Sequence, residues 1–270
     1  MTSVRSKRDT FRDLHRTGCF VIPNPWDVGS ARHLAALGFP ALATTSSGIA
    51  WSLGAPDNSI TRDDALARIA AIAAAVDVPV NADFEGGFAS DPESVAANVR
   101  LAGATGVAGI SIEDSTGDAN APLFEFALAV ERVRAACAAV AGSGVVITAR
   151  SEGFIAGRPD LGETVRRLEA FAAAGAECLY APGIRTREEI ATVVRAVAPK
   201  PVNVLVGSDF TTVAELASLG VRRISVGGAL ARAAWGGFLV AAAEIARAGT
   251  FRGLAAAAPF AEVNGLFERR

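Results

Sequence analysis

Acidic side chains close two neighbouring apolar stretches of the sequence, and their types and spacing point to metal chemistry. Asp83 and Glu85 end the stretch that begins at Val78, and Glu113 ends the following one. If the first stretch is a strand that continues to residue 85, its two acids face the same side. Three carboxylates brought together repel one another, and a hard divalent cation is the usual relief. The sequence therefore predicts Asp83, Glu85 and Glu113 as ligands of Mg²⁺, with Mn²⁺ as an alternative.

Further groups suited to an anionic substrate follow other apolar stretches. Arg150 ends the next stretch and can clamp a carboxylate or phosphonate in bidentate fashion. Ser47, Gly48 and Ile49 offer a hydroxyl and backbone N–H groups to an oxyanion. Together these groups suit a 2-oxo acid that chelates the metal through its carboxylate and carbonyl oxygens. The metal would stabilise the enolate formed when a bond beside that carbonyl breaks, with Glu113 and Arg150 as catalytic candidates.

Four more residues are candidates for the site. Thr45 and Asn203 lie within apolar stretches and join Asp83 as candidate substrate contacts. Trp26 is another candidate contact, although the sequence does not decide between a pocket wall and plain packing. The position of Asp57 directly after a proline favours a turn residue, judged by spacing alone.

Short β-branched apolar stretches alternate with longer Ala-rich ones, as expected of strands and helices in turn. Eight almost wholly apolar strands in 270 residues favour a closed (β/α)8 TIM barrel, an α/β fold whose strand ends would bring the candidate residues to one mouth. A doubly wound open sheet is the main alternative, but no Gly-rich dinucleotide loop follows the first strand. The predicted strands are Cys19–Pro23, Ala41–Thr45, Val78–Asp83, Ala108–Glu113, Val145–Arg150, Glu177–Ala181, Val202–Val206 and Arg223–Val226.

The predicted helices begin with recognisable capping residues. Thr61 and Ser90 are predicted N-caps, each followed by an acidic first turn. Asp91, Asp114 and Asp160 are assigned to helix N-caps as well, in preference to ligand positions. The helix candidates lie near 26–37, 61–76, 91–104, 122–140, 160–174, 186–197 and 211–219.

The C-terminal region holds more helix than a barrel needs. Ala229–Ala248 form a long apolar helix after the eighth strand, and residues 251–267 form a shorter helical stretch. No linker divides the chain, so one barrel domain over residues 1–270 is expected. The tail, residues 229–270, needs an apolar surface to bury against, and a partner subunit would supply one.

Charge and cysteine content exclude several classes of function. Lys and Arg number 26 and Asp and Glu 28, and the net charge of −2 gives no electrostatic case for nucleic acid or an anionic membrane. Apolar stretches are broken before the roughly 20 residues of a membrane helix, and residues 1–17 lack a signal-peptide core. The three cysteines form no disulfide or zinc pattern, which favours the cytoplasm. The two histidines lie in helix-like stretches, so carboxylates and Arg must carry any chemistry.

Six short segments are specific as a combination, although each alone is not. They are Asn24-Pro25-Trp26-Asp27 with Ser30-Ala31-Arg32, Thr45-Ser46-Ser47-Gly48, Gly54-Ala55-Pro56-Asp57, Asn81-Ala82-Asp83-Phe84-Glu85-Gly86-Gly87, Ile112-Glu113-Asp114 and Thr148-Ala149-Arg150. In order and spacing the chain resembles the isocitrate lyase/phosphoenolpyruvate mutase superfamily over about residues 18–230, nearly the whole predicted barrel.

The resemblance implies a (β/α)8 barrel whose eighth helix swaps onto a neighbouring subunit, giving a homodimer or homotetramer. It implies a Mg²⁺ site at Asp83, Glu85 and Glu113, partly through water, with Asp57 nearby as a catalytic residue. Residues 47–49 would match the segment that binds the substrate carboxylate, and Arg150 would match the substrate-contacting arginine. On this resemblance Asp57 changes from a turn residue to a site residue.

One departure from the family narrows the activity. Isocitrate and methylisocitrate lyases carry a Lys-x-Cys-Gly-His motif after strand four, and its Cys is their acid/base. Residues 115–122 contain no Cys, Lys or His, so both activities are rejected. Phosphonopyruvate-processing members have a loop with Lys and Asn there, and only Asn120 is similar.

Three functions stay open at this point. The first is a Mg²⁺-dependent lyase that cleaves or decarboxylates a small 2-oxo or 2-hydroxy carboxylic acid through a metal-bound enolate. The second is a phosphoenolpyruvate mutase or phosphonopyruvate hydrolase, which breaks a P–C bond at the same site. The third is a barrel that binds a 2-oxo acid without turning it over. The identity of the group that transfers protons is also open. The candidates are metal-bound water, Glu113 and a residue of the loop 115–122.

Overall fold

All eight apolar stretches are strands in the computed structural model, which describes residues 2–268. Each strand lies within two residues of its predicted bounds, because buried β-branched runs favour the extended backbone. The strands are β1 (Phe20–Ile22), β2 (Leu42–Ala43), β3 (Val80–Asp83), β4 (Gly109–Glu113), β5 (Val146–Arg150), β6 (Cys178–Tyr180), β7 (Val202–Leu205) and β8 (Arg223–Ser225).

The strands pair in parallel, each with its neighbours in sequence, and β1 pairs with β8. The seam between β1 and β2 has no strand ladder, but the Ala43 N–H donates a hydrogen bond of 3.0 Å to the carbonyl of Pro23 across it. The first and last strands therefore meet in a nearly closed (β/α)8 barrel. The open-sheet alternative was wrong.

Helices cover the outside of the barrel. The predicted helix at 122–140 begins only at Phe126, since residues 115–124 form a separate loop. Two helices were not among the predicted ones: α1, which precedes β1, and α3, which follows β2. The helices are α1 (Val4–Leu14), α2 (Val28–Ala36), α3 (Ser46–Ser52), α4 (Arg62–Ala75), α5 (Pro92–Ala104), α6 (Phe126–Ala139), α7 (Leu161–Ala173), α8 (Arg187–Ala196), α9 (Val213–Ser218), α10 (Ala229–Ala248) and α11 (Phe260–Glu268), with a 3₁₀ turn at Arg252–Ala256.

The predicted helix caps are correct in three of five positions. Thr61, Asp91 and Asp160 each accept a hydrogen bond from a backbone N–H of the first turn. Ser90 was wrong as a cap because Asp91 takes that place and accepts from the Ser94 N–H at 2.8 Å. Asp114 was wrong too, since it follows β4 and is buried inside the barrel wall.

The long helix α10 has the predicted bounds, and Ala231 is its only buried residue. By length and composition α10 is also the one helix within residues 2–268 that could cross a membrane. That departs from the expectation that no apolar stretch reaches such a length. Beyond it, α11 turns back towards the barrel, and Phe267 lies close to Gly29 of α2. Because Ala231 is its one buried residue, most of α10 packs against no part of the barrel.

Candidate active site

The guanidinium group of Arg150 lies at the centre of the barrel mouth, between three carboxylates. Arg150 ends β5 and is paired in register with Glu113, the last residue of β4. Its Nη1 lies 2.7 Å from Asp83 Oδ1, and its Nη2 lies 3.0 Å from Glu113 Oε2. Its Nε lies 2.8 Å from Oε1 of Glu152, two residues further along the chain. All four side chains are largely buried, so these contacts are charge-assisted hydrogen bonds of low solvent exposure.

Negative charge at the mouth exceeds what Arg150 neutralises. Burial, together with the carboxylates of Asp83 and Asp57, raises the pKa of the Glu85 carboxyl to about 7. Burial also raises the pKa of Glu113 well above its ordinary value, although Arg150 opposes that shift. A site that raises the pKa of its acids favours their neutralisation, by protons or by a cation.

Glu85 lies beyond the end of β3, so the condition under which Asp83 and Glu85 would face the same side is not met. The strand ends at Asp83, and Glu85 has a φ of +47°, in the left-handed region. Its carbonyl accepts a hydrogen bond of 3.1 Å from the Glu113 N–H, which fixes the turn against the end of β4. The side chains of Asp83 and Glu85 consequently reach neighbouring cavities rather than the same one.

The start of α3 closes one side of the mouth. Thr45 caps this helix, and the Ser46 N–H donates to Asp83 Oδ2 at 3.1 Å. The hydroxyl oxygens of Thr45 and Ser47 lie 3.0 Å apart. A Cβ at Gly48 would lie 2.7 Å from Thr45 Cγ2 and 2.8 Å from Trp26 Cβ, so only glycine fits there. Gly48 thus allows the helix to start against the barrel mouth.

Asp114 supports the site from behind instead of capping a helix. Its Oδ1 accepts the Glu152 N–H at 2.8 Å, and its Oδ2 lies 3.0 Å from Arg167 Nη1 of α7. The Asp114 and Arg167 side chains are only 1% and 8% exposed. This buried pair therefore fixes the backbone of Glu152, which in turn holds Arg150.

A layer of polar side chains fills the barrel below the mouth. The Arg223 Nε donates to Asn203 Oδ1 at 2.8 Å, and Asn203 Nδ2 donates to Ser225 Oγ at 2.9 Å. Tyr180 ends β6, and its ring centroid lies 5.2 Å from Cζ of Arg150. Burial raises the pKa of Tyr180 to about 12, so the phenol is neutral.

The groups of the mouth line two cavities. One of about 160 Å³ lies between the mouth and the polar layer and is bounded by Asp57, Asp83 and Arg150. The other, of about 310 Å³, is bounded by Glu85, Glu113 and the loop after β4. The first volume suits a ligand of a few heavy atoms.

The donor set fits a hydrated divalent cation. Within residues 2–268, no three His, Cys, Asp or Glu side chains stand close enough to enclose a metal ion by themselves. Mg²⁺ needs no such enclosure, because it binds through one or two carboxylates and keeps several waters. Asp83, Glu85 and Glu113 supply oxygen donors with an uncompensated negative charge, which is the chemistry that such an ion prefers.

The loop after β4 is bonded mainly to itself. The Thr116 N–H donates to the carbonyl of Pro122 at 3.0 Å, and Ser115 pairs with Leu123 across the loop. The Asn120 side chain donates to Asp118 Oδ1 at 3.2 Å and is exposed. Asn120 therefore makes no contact with the mouth.

The sequence profile of the phosphoenolpyruvate phosphomutase family matches residues 11–246. The chain belongs to the phosphoenolpyruvate mutase/isocitrate lyase superfamily. An uncharacterised protein of Mycobacterium tuberculosis is 35% identical over 241 residues, 88% of each chain. An oxaloacetate decarboxylase of Paraburkholderia xenovorans is 31% identical over 192 residues, 68% of this chain and 63% of the relative. The predicted resemblance is confirmed.

Solved structures of this superfamily share the fold over nearly the whole chain. A Burkholderia cenocepacia protein is 50% identical, with a TM-score of 0.93 over 97% of this chain and 96% of its own. Phosphonopyruvate hydrolase in complex with oxalate and Mg²⁺ is 28% identical, with a TM-score of 0.84 over 98% and 95%. Oxaloacetate acetylhydrolase in complex with its product oxalate is 25% identical, with a TM-score of 0.86.

 The alignment with oxaloacetate acetylhydrolase covers 98% of this chain and 95% of that enzyme. These high coverages show that the barrel and its C-terminal helices are shared with enzymes of the superfamily.

The structure brings most of the predicted site residues of this superfamily member to one mouth. Six of them line the smaller cavity, and Glu85 and Glu113 line the larger one. Trp26, Gly48 and Ile49 line neither of these cavities. Ile49 is fully buried and its N–H already donates to the Thr45 carbonyl, whereas Trp26 packs beside Gly48. The six residues on the smaller cavity are Thr45, Ser47, Asp57, Asp83, Arg150 and Asn203.

Three residues of the site had no role in the sequence predictions. Tyr180 is the only tyrosine of the chain and ends β6, so the strand-end rule applied to that strand would have identified it. Glu152 follows Arg150 by two residues, but its bond to the arginine depends on the turn after β5. Arg223 begins the buried strand β8, and a charge at such a position is itself a signal of a polar barrel interior.

Proposed function

We propose that this protein is a divalent-metal-dependent lyase that cleaves or decarboxylates a small 2-oxo or 2-hydroxy carboxylic acid. The observation that carries the proposal is the Arg150 guanidinium held between Asp83 and Glu113, beside a cavity of about 160 Å³. Oxaloacetate decarboxylases among the relatives, and an oxaloacetate acetylhydrolase among the structural neighbours, support a C–C bond as the target.

In such a reaction, some of these residues would bind charged groups and others would orient the substrate. Arg150 would bind the substrate carboxylate, and the Ser47 hydroxyl lies on the same cavity to orient it. Asp83, Glu85 and Glu113 would hold Mg²⁺ or Mn²⁺, which when bound polarises the carbonyl and stabilises the negative charge that develops on it. Asp57 is exposed at the rim of the cavity, where it can exchange a proton with solvent.

A P–C bond enzyme is the second candidate. The matched family profile and the phosphonopyruvate hydrolase neighbour favour it. The loop after β4 argues against it, because its one similar side chain, Asn120, is bonded to Asp118 and exposed. The C–C lyase therefore accounts for more of the site.

The direct test measures by NMR whether the protein converts any of a panel of substrates. Oxaloacetate and other short 2-oxo and 2-hydroxy di-acids are incubated with the protein and Mg²⁺, and with EDTA in place of the metal. We expect metal-dependent turnover that Asp83→Asn abolishes, whereas Asp63→Asn on the surface of α4 leaves it unchanged. Conversion of phosphonopyruvate alone would favour the second candidate. Binding of these acids without any product would refute both enzymes and support a binding barrel.

We also propose that α10 packs against a second copy of this chain, in a homodimer or a pair of dimers. Phe238, Leu239 and Val240 are 60%, 58% and 68% exposed, and burial of such a run in a like helix removes apolar surface from water. The three cysteines are free, which supports a reducing, cytoplasmic location.

Light scattering after gel filtration tests this assembly. We expect a dimer or tetramer, and we expect Leu239→Glu to dissociate it while Leu101→Glu, on the exposed side of α5, does not. A monomeric wild type would refute the proposal. Recovery of the protein with lipid vesicles would instead assign α10 to a membrane.

A further inference from the structure

Arg223 is a buried cation without an acidic partner. The residue is 3% exposed, and it forms no ion pair with an Asp or Glu of residues 2–268. Its Nε donates to Asn203 Oδ1 at 2.8 Å, and its Nη1 lies 3.0 Å from the acceptor Thr148 Oγ1. All these acceptors are neutral. An uncompensated buried charge is costly, so the pocket around it favours an anion.

Neither His15 nor Cys178, the titratable groups that interact with Arg223 within residues 2–268, adds a negative charge. Burial raises the pKa of the Cys178 thiol, so that the thiol stays protonated. His15 Nε2 lies 3.4 Å from Arg223 Nη1, and His15 Nδ1 lies 2.7 Å from the Phe11 carbonyl, to which it donates. Burial and the arginine together lower the pKa of His15 to about 3, so the ring is neutral at physiological pH. Among the residues that the structure describes, no acidic side chain is therefore paired with the Arg223 guanidinium.

Arg223 also borders the cavity that Arg150 borders from above. Its contact Thr148 precedes Arg150 by two residues of β5, a rise of about 7 Å along the strand. A four-carbon di-acid has roughly 4 Å between its carboxyl carbons, and hydrogen bonds of about 2.8 Å extend its reach at both ends. The reach of such a molecule therefore matches this rise along the strand.

We propose that Arg223 forms an inner carboxylate site, which binds the second carboxylate of a four-carbon di-acid while Arg150 faces the first. The inference rests on the proposed function in treating the cavity as the substrate site, and it assigns Arg223 the selection of di-acids over mono-acids. Asn203 positions the guanidinium by accepting from Nε, and one of its two amide N–H groups donates to Ser225 Oγ.

Calorimetric binding of unreactive acids tests the inner site separately from catalysis. Succinate, butyrate and acetate are titrated into the wild type, with and without Mg²⁺. We expect succinate to bind at least tenfold more tightly than butyrate, and Arg223→Met to abolish that preference. Arg222→Met is the matched control, because Arg222 is partly exposed and bonds to the Gly18 carbonyl instead. Failure of every turnover assay leaves this result intact, so the two proposals are judged separately.

A second variant guards against misfolding of Arg223→Met. Asn203→Asp keeps size and shape but places a carboxylate beside the Arg223 Nε, so we expect it to weaken succinate binding as well. If both variants lost acetate and succinate binding equally, Arg223 would bind anions without selecting di-acids, and the proposed selection would be overturned. The proposal is overturned if the folded variants bind succinate like the wild type, or if the wild type shows no preference for succinate in either condition.

Discussion

Replacement of Arg150 by Met should destabilise the protein in a manner that depends on pH and metal. The variant keeps much of the buried stem but leaves the carboxylates of Asp83, Glu113 and Glu152 facing one another without a cation. Removal of one partner of a buried ion pair costs about 3–5 kcal/mol. Because three pairs are broken at once, we expect the free energy of unfolding at neutral pH to fall by about 4 kcal/mol or more.

The pH dependence follows from the direction of the pKa shifts. The pKa of Glu113 is raised in the folded protein, and removal of Arg150 raises it further. Between the unfolded and folded pKa values, the folded protein then binds more protons than the unfolded chain, so its stability rises as the pH falls. The loss caused by Arg150→Met should therefore be smaller at pH 5.5 than at pH 7.5. Mg²⁺ should recover part of the loss at neutral pH, since it neutralises the same carboxylates.

Urea denaturation followed by circular dichroism measures these differences. Arg166→Met is the matched control, because Arg166 is exposed on α7 and its pair with Glu163 is screened by solvent. A loss below about 1 kcal/mol in Arg150→Met would contradict the assignment of a buried counter-charge. A loss of the same size at both pH values, unaffected by Mg²⁺, would contradict the excess of negative charge at the mouth.

Three further perturbations address other parts of the structure. His15→Phe should flatten the pH dependence of stability. The pKa of His15 falls to about 3 on folding, so the wild type loses stability as the pH falls below the unfolded pKa near 6.5. At pH 5 this loss amounts to about 2 kcal/mol. Denaturation of both proteins at pH 7 and pH 5 measures this, and parallel curves would contradict it. Gly48→Ala should cost about 1–3 kcal/mol in thermal denaturation, because the added Cβ meets two side chains under 3.0 Å away, whereas Gly236→Ala, with open space around it, should not. Arg167→Met should lower the free energy of unfolding by about 3–5 kcal/mol, because buried Asp114 loses its counter-charge. The double variant Arg167→Met/Asp114→Asn should recover part of this loss, and equal losses in the single and double variants would contradict a stabilising ion pair.

The barrel could be predicted from sequence because its signal is local. Each strand is a short apolar run whose burial on both sides removes the need for alternation, and the helix between two strands carries its own caps. The carboxyl ends of the strands then place Asp83, Glu113 and Arg150 at one mouth without any knowledge of side-chain positions. That rule holds for any closed barrel of parallel strands, so the principal charged residues of the site followed from the fold.

Contacts between distant segments could not be predicted in this way. Asp114 followed by a serine has the local pattern of a helix cap, and only Arg167, 53 residues away, gives it a different role. Glu85 leaves the strand because the Glu113 N–H bonds to its carbonyl, a tertiary contact with no local signature. Arg150 also has local partners that the sequence did not indicate, because Glu152 and two further carboxylates accept from three of its five N–H donors and leave two for a substrate.

The charges of this barrel are separated along its axis, and that separation connects the two proposals. Carboxylates outnumber cations at the mouth, where the pKa of Glu85 rises to about 7, while Arg223 stands without an acid in the interior. A cation bound at the mouth and an anion bound inside relieve both imbalances, because each lies next to the excess of opposite charge. A di-acid accompanied by a divalent metal supplies both charges in one ligand set. A neutral ligand, or an anion confined to the mouth, would leave the charge of Arg223 with only the neutral acceptors of Asn203 and Thr148 around it.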